Sequence, residues 1–198
     1  MTLRHIIPAI SRNAVPEPND PRFSVVPDFD DGSLELDLAE TIHDLLRERG
    51  VKRAVEVGTS KGTGAIYWAD AIGEDGHLWT CEFKPELLFG AIQRWHALGL
   101  AGRITGICGD ANLPETWQDV PDDVDFVLFD CQHHTLGALQ EYACLMYKIK
   151  PGALLIWHDT IYPSERAAVD LIATMRGKDL SKDLISLPSC RGCLAMEA

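Results

Sequence analysis

The chain has 198 residues, and its 18 Lys and Arg residues against 30 Asp and Glu residues give a formal net charge of −12. This length is typical of one domain of about 150 residues with an appended segment. Hydrophobic residues make up 46% and charged residues 24%, which is the composition of a globular protein. The acidic balance and the lack of a basic stripe argue against binding to nucleic acid or to anionic lipid.

The chain shows no apolar run of the ~20 residues that would cross a bilayer, and its proline-interrupted start is not typical of a secretory signal. Most of the 6 cysteines lie inside apolar runs. Buried thiols are typical of a reducing compartment. We therefore expect a cytoplasmic protein that does not enter a membrane and whose partner is a small molecule.

Residues 1–32 differ in composition from the rest of the chain. Five prolines forbid a regular helix or strand there, and several aspartates follow them. We interpret residues 1–32 as an irregular proline-rich arm and residues 33–198 as a single domain.

From residue 33 onward, helical and strand-like patterns alternate. In chain order we predict a helix over 34–49, a strand over 54–57, a helix over 65–72, a strand over 77–82, a helix over 85–98, a strand over 103–110, a short helix over 114–119, a strand over 125–130, a helix over 136–149, a strand over 153–159 and a helix over 165–176. The strands are almost continuously apolar, which predicts a parallel sheet with helices on both faces.

The tail has a different pattern. Two strand-like runs, DLISLP and GCLAMEA, are joined through residues 189–192, with Arg191 and Gly192 in or beside the turn. This arrangement predicts a closing antiparallel hairpin. A lone C-x-x-C, Cys190 and Cys193, falls in the same place, and without a second pair we interpret it as part of the turn.

Glycine, acidic or imidazole residues follow five of the predicted strands. They are residues 58–64, Glu82, Asp110, residues 130–134, and His158 with Asp159. Ligands of open α/β sheets bind at the carboxyl ends of the strands, so we expect these residues to share one edge.

The loop after the first strand, GTSKGTG, matches neither the dinucleotide pattern G-x-G-x-x-G nor a P-loop. Its glycines let a ligand approach the backbone, although a tight turn alone could also require them. Glu56 disfavours a phosphate and favours a cation, while Glu82 lies where an acid accepts hydrogen bonds from ribose hydroxyls. A cationic ligand with a ribose and no phosphate is S-adenosylmethionine.

Residues 34–162 resemble a class I S-adenosylmethionine-dependent methyltransferase, more narrowly the catechol O-methyltransferase-like and cephalosporin-hydroxylase-like branch. The resemblance is carried by VEVGTSKGTG, TCEFKPE, DFVLFDCQHH and KPGALLIWHDTIYP, in this order. It implies an α/β, Rossmann-like fold: a seven-stranded, mostly parallel sheet with helices on both faces and a C-terminal antiparallel hairpin.

The resemblance also implies site residues. The cofactor-binding set would be Glu56, Gly58, Thr59, Ser60, Gly62, Glu82, Phe83, Gly109, Asp110, Ala111 and Asp130. The metal ligands would be Asp130, His158 and Asp159, where catechol-type enzymes usually have two aspartates and an asparagine. Because of His158, a divalent metal there could be magnesium, manganese, iron or zinc. In the alternative interpretation, Asp159 caps a helix and His158 is a satisfied core residue.

His133 is the candidate catalytic base, acting beside Asp130. It falls where catechol-type enzymes carry a lysine, and an imidazole can accept a proton near neutral pH. His133 and His134 could instead be exposed helix-start residues, and we assign His134 to that role.

We therefore expect an O-methyltransferase for a small molecule with neighbouring oxygens, assisted by a divalent metal that acidifies the acceptor hydroxyl. An N-methyltransferase, or an enzyme such as a cyclase that uses the same cofactor without methylating, is the alternative. A non-catalytic S-adenosylmethionine-binding protein is a further one. Specificity is expected from the arm and from residues 161–166, and a homodimer is possible.

Overall fold

The computed structural model describes residues 34–198, so the predicted arm over residues 1–32 lies outside the described residues. Helices and strands alternate along the described chain as α1 Leu36–Arg49, β1 Arg53–Val57, α2 Thr63–Ile72, β2 His77–Glu82, α3 Pro85–Ala97, β3 Ile104–Cys108, a 3-10 helix Pro114–Trp117, β4 Val124–Phe129, α4 Thr135–Leu145, β5 Ile149–His158, α5 Pro163–Met175, β6 Ile185–Leu187 and β7 Cys193–Glu197.

The strands form a seven-stranded sheet in the order β3-β2-β1-β4-β5-β7-β6. Strands β1 to β5 pair in parallel, while β7 is antiparallel to both β5 and β6. The predicted parallel sheet and closing hairpin are therefore confirmed. The strand order reverses between β1 and β4, and this reversal opens the crevice in which ligands of such sheets bind.

Each central strand is buried on both faces of the sheet. Along β1, Ala54 belongs to a core formed with α1, α2 and α3, whereas Val55 belongs to a second core formed with α4 and α5. Alternate residues thus face opposite helical layers, which explains the unbroken apolar runs. Trp157 on β5 is fully buried and stacks on Phe129 at 4.9 Å between ring centroids, so it is a core residue.

The prediction for the junction between α4 and β5 was wrong. The helix was expected to continue to Ile149, but it ends at Leu145, and β5 already begins at Ile149. Ile149 pairs with Val124 of β4, ahead of an irregularity in the register of the two strands. Pairing with β4 thus outweighs a local apolar spacing that also suits a helix.

The hairpin packs closely against the segment that follows β5. Thr160 N donates to the carbonyl of Gly192 at 3.0 Å, and Ile161 N donates to the carbonyl of Arg191 at 2.9 Å. Gly192 has φ +79°, and a Cβ built on it would lie 2.6 Å from Ile161 N. This glycine therefore permits both the left-handed backbone and the close approach.

Glu56 is buried beneath the first turn of α2 with 2% of its surface exposed. Its Oε1 accepts a hydrogen bond from Trp68 Nε1 at 2.6 Å, and its Oε2 accepts one from Thr80 Oγ1 at 2.6 Å. Burial, supported by the nearby charges of Asp130 and Glu82, raises the pKa of Glu56 from 4.5 to about 8. The carboxyl group thus joins α2 to β2 while it favours its protonated form.

None of the helices within residues 34–198 combines the length and the apolar character needed to cross a membrane.

We predict that Gly192→Ala costs about 3 kcal/mol or more of unfolding free energy, because it adds a steric conflict to the backbone strain. Gly152 is the matched control: it has the same φ of +79° and nothing within 4 Å of an added Cβ. Gly152→Ala should therefore cost only the strain, about 1 kcal/mol. Urea unfolding measures both, and equal losses would contradict the close packing of Gly192.

A second prediction concerns pH. Because the folded pKa of Glu56 is raised to about 8, wild-type stability should fall as pH rises from the unfolded pKa toward 8. Glu56→Gln removes this group and still offers an acceptor to Trp68 and a donor to Thr80. Between pH about 5.5 and about 8.5, the unfolding free energy of the variant should therefore rise by more than about 1 kcal/mol relative to that of wild type. The exposed Glu74→Gln is the control, and parallel pH profiles for wild type and Glu56→Gln would contradict the assignment.

Candidate functional site

The carboxyl ends of β1, β2, β4 and β5 meet at one edge of the sheet. The register pairs Val57 with both Cys81 and Phe129, and Phe129 with Trp157, so these strands end almost level. The residues that follow them therefore lie side by side, as the sequence predicts. We refer to this row as the carboxyl edge.

The glycine loop after β1 lies directly on the end of β4. Gly58 has φ +104°, and a Cβ on it would lie 2.3 Å from the backbone oxygen of Asp130. Gly58 N and Thr59 N both donate to the carbonyl of Cys81 at 3.0 Å. Only glycine fits where the backbones of two strands come this close, so Gly58 allows the loop to lie directly against the end of β4.

Glu82 is fixed at the end of β2 by backbone amides. Its Oε2 accepts from Ser60 N at 2.8 Å, and its Oε1 accepts from Lys84 N at 2.9 Å. A carboxylate has about four acceptor positions, so these two bonds leave capacity for further donors. Phe83 beside it is exposed, and Ser60 has φ +47°.

The loop after β3 continues the carboxyl edge. Gly109 N donates to the carbonyl of Glu82 at 3.1 Å. Asp110 Oδ1 accepts from Asn112 N at 2.9 Å, and the carbonyl of Ala111 accepts from Trp117 Nε1 at 2.9 Å. These bonds fix the loop next to Glu82.

The predicted cofactor residues thus divide by position. Gly58, Ser60 and Glu82 line the carboxyl edge. Gly62 is the N-cap residue of α2, directly before Thr63. Glu56 and Thr59 are buried beneath it, with 2% and 4% of their surfaces exposed.

Asp130, His158 and Asp159 come together at the ends of the neighbouring strands β4 and β5. Each offers a donor atom, and these atoms lie within 4.8 Å of one another. His158 Nδ1 is 3.0 Å from Asp130 Oδ1 and 3.7 Å from Asp159 Oδ2. Asp159 has φ +57°, a left-handed conformation that is uncommon for residues other than glycine. We call these three residues the acid–histidine cluster.

Two residues that contact this cluster are not predicted from the sequence. The first is Glu35, which is buried, and whose Oε2 lies 3.0 Å from His158 Nε2. Its Oε1 accepts from Ser189 Oγ at 2.8 Å and from Arg191 N at 3.1 Å. Glu35 precedes α1 and resembles any acid at a helix start, so no local signal distinguishes it.

The second is Arg191, at the turn of the hairpin. Its Nε is 2.9 Å from Asp159 Oδ1, and its Nη2 is 3.2 Å from both Asp159 Oδ2 and His158 Nδ1. Because β7 runs antiparallel to β5, the start of β7 meets the end of β5, and His158 pairs with Cys193. That register was the signal that could have identified Arg191.

Burial and nearby charges shift the pKa values of the groups in and around the cluster, often in opposite directions. Burial alone would lower the pKa of His158, but the Asp130 charge and the hydrogen bonds to Asp130 and Glu35 outweigh it and raise the pKa to about 10. Burial would raise the pKa of Glu35, but its bond to His158 holds it well below the usual range. Burial next to the charges of Asp159 and Asp130 raises the pKa of Glu165 to about 8.

His133 lies at the solvent side of the cluster. Its Nε2 is 3.5 Å from Asp159 Oδ2, and 45% of the side chain is exposed. The ring centroid lies 5.9 Å from that of Tyr162. His134 instead caps α4, where its Nδ1 accepts from Gly137 N at 3.0 Å, so the prediction that it is an exposed helix-start residue is confirmed.

The residues of the acid–histidine cluster can be compared with the ligands that a divalent ion needs. Two carboxylates and an imidazole at this spacing form a suitable ligand set. However, the Arg191 guanidinium contacts both Asp159 and His158 and puts a positive charge next to the position that the ion would take. In this arrangement the residues do not fit a bound ion.

Comparison with known proteins identifies the family. The family described as "Methyltransferase domain" matches residues 55–160. A protein-L-isoaspartate O-methyltransferase of Ignicoccus hospitalis is 28% identical over 132 residues, which are 66% of this chain and 57% of the relative. The chain thus matches little more than half the length of this curated relative.

Two solved structures share the fold at low identity. The O-methyltransferase TomG of Streptomyces achromogenes, in complex with SAM, has a TM-score of 0.70 at 20% identity over 86% of this chain and 84% of that chain. The O-methyltransferase of Bacillus cereus, in complex with SAH, has a TM-score of 0.70 at 14% identity over 85% and 84%. The chain belongs to the methyltransferase domain family and has the class I S-adenosylmethionine-dependent methyltransferase fold.

Proposed function

We propose that this protein is an S-adenosylmethionine-dependent methyltransferase that methylates an oxygen atom of a small molecule. One observation carries the proposal: the glycine loop and an anchored Glu82 lie on one side of the strand reversal, and the acid–histidine cluster lies on the other. A donor site and an acceptor site are thus adjacent. The O-methyltransferase names of the curated relative and of the two solved structures support oxygen as the acceptor.

The donor half suits a nucleoside without phosphates. S-adenosylmethionine supplies a methyl group on a sulfonium, which is already activated for displacement. The remaining acceptor capacity of Glu82 suits ribose hydroxyls, and the loop at Gly58 and Ser60 lies next to it, where the methionine part would bind. Asp110 and Ala111 lie next to Glu82, on the side expected for the adenine.

The acceptor half can hold and deprotonate a hydroxyl. His133 accepts the proton of the acceptor, and Asp159 orients its ring from 3.5 Å. An oxygen lone pair then forms the new C–O bond, and the C–S bond breaks with its electron pair moving to sulfur. The protein contributes alignment of the two reactants, and the positive sulfonium and the negative oxygen neutralise each other as the methyl group is transferred.

The finer prediction, an acceptor with two neighbouring oxygens chelated by a metal, is supported by the ligand types of Asp130, His158 and Asp159. A divalent ion there would polarise the acceptor hydroxyl. The positive charge of Arg191 speaks against an ion at this position. The proton transfer described for His133 does not depend on one.

A cytoplasmic location, a homodimer and the absence of a nucleic-acid partner stay predictions from the sequence.

Calorimetric titration with S-adenosylmethionine and S-adenosylhomocysteine tests the donor half. Both should bind, and Glu82→Gln should weaken binding about ten- to hundredfold because hydrogen bonds to a charged group are lost. The exposed Glu74→Gln keeps the same charge change away from the carboxyl edge and should bind as wild type.

Tight binding of NAD or ATP instead of these two compounds would contradict the proposal. Binding followed by methylation of amines rather than hydroxyls would favour the N-methyltransferase alternative. Binding with no product from any acceptor class would favour a non-catalytic binding protein.

A further inference from the structure

We propose that Arg191 is the resident cation of the acid–histidine cluster. Its guanidinium excludes a divalent ion from the cluster and supplies the positive charge that stabilises the acceptor oxygen. This inference rests on the proposed methyl transfer for the use of that charge. The exclusion of an ion is a separate property of the cluster and can be measured without any substrate.

The first support is the position of the guanidinium. Its Nη2 lies 3.2 Å from His158 Nδ1 and 3.2 Å from Asp159 Oδ2, and its Nε lies 2.9 Å from Asp159 Oδ1. Both oxygens of Asp159 therefore face the arginine. A metal ligated by His158 Nδ1 and Asp159 Oδ2 would lie within about 4 Å of Nη2 and therefore next to a positive charge.

The second support is the state of the His158 ring. Nε2 is 3.0 Å from Glu35 Oε2, and Nδ1 is near both Asp130 Oδ1 and Arg191 Nη2. If Nδ1 carries a proton, it donates to Asp130 and has no lone pair for a metal. If it carries none, its lone pair accepts from Arg191. Whether or not Nδ1 carries a proton, this nitrogen therefore already has a hydrogen-bond partner within the protein.

The third support is that the backbone of Arg191 is held in place. Its N donates to Glu35 Oε1 at 3.1 Å, and its carbonyl accepts from Ile161 N at 2.9 Å. Gly192 packs against the same segment with a separation that no Cβ allows. The fold thus holds Arg191 against the cluster, and 27% of its side chain is exposed.

A cation at this position has a use in methyl transfer. The acceptor oxygen becomes negative when His133 takes its proton, and a guanidinium next to it stabilises that charge as a metal ion otherwise would. A guanidinium does so with directed N–H donors rather than by chelation. The acceptor class that fits is a molecule with an ionisable oxygen, a phenol or a carboxylic acid, for which two neighbouring hydroxyls are not required.

The test is titration of the purified full-length protein with Mn²⁺ alone, followed by calorimetry and by the EPR signal of free Mn²⁺. Wild type should take up no Mn²⁺ at the cluster. Arg191→Ala should bind Mn²⁺ about tenfold or more tightly than wild type, because a positive charge next to the ligands is removed. Asp159→Asn in the Arg191→Ala background should abolish the gained binding.

Three further variants make the test decisive. Arg191→Lys retains the charge and should exclude Mn²⁺ more strongly than Arg191→Ala. Arg53→Ala removes an arginine at the amino end of β1, where it pairs with the exposed Asp123, and should behave as wild type. Arg191→Gln serves in place of Arg191→Ala if the latter does not fold, as judged by thermal unfolding.

Binding of Mn²⁺ to wild type as tight as to Arg191→Ala would overturn the inference, since the arginine would then not hold the position. Failure of both folded neutral variants to bind would overturn it as well. Titration of the same samples with S-adenosylhomocysteine separates the two claims. Absence of binding to the wild-type protein contradicts the proposed function, whereas the Mn²⁺ result tests only the role of Arg191.

Discussion

The carboxylate of Glu35 joins three separate parts of the chain at the carboxyl edge. One oxygen lies 3.0 Å from His158 at the end of β5, and the other accepts from Ser189 and from the backbone of Arg191. A buried acid with 2% exposure must satisfy its oxygens within the protein, and here it does so with the two elements that build the acceptor half. The position of α1, the His158 ring and the hairpin turn depend on this one group.

The two halves of the site are built by different means. The donor half consists mainly of backbone: Gly58 allows the first loop to reach the end of β4, and amides of that loop hold Glu82. The acceptor half consists of side chains of opposite charge, with Arg191 and His158 facing the carboxylates of Glu35, Asp130 and Asp159. A backbone cradle tolerates changes in the neighbouring side chains, whereas a charge cluster changes its chemistry when one member differs.

This difference explains how much the sequence could predict. Strand positions, the glycine loop, Glu82 and the closing hairpin have local signatures, and the structure contains each of them. The error at Ile149 arose because an apolar residue suits a helix end and a strand start equally well. Glu35 and Arg191 have no local signature, because their role comes from contacts across 123 and 33 residues of chain. The resemblance groups His158 with Asp130 and Asp159, as the structure does, but it does not predict the contacts of His158 with Glu35 and Arg191.

If Arg191 takes the place of an ion, as we propose, this exchange changes what the acceptor half can recognise. A divalent ion binds oxygen ligands around a point and selects two neighbouring oxygens by chelation. A guanidinium is planar and donates along fixed directions, which suits a single oxyanion or the two oxygens of one carboxylate. Because Asp159 already accepts from Nη2 and lies 2.9 Å from Nε, the acceptor would meet the positive charge mainly as an electrostatic field next to His133. The hairpin that carries Arg191 therefore sets acceptor chemistry in a fold whose donor half is fixed by glycine and backbone.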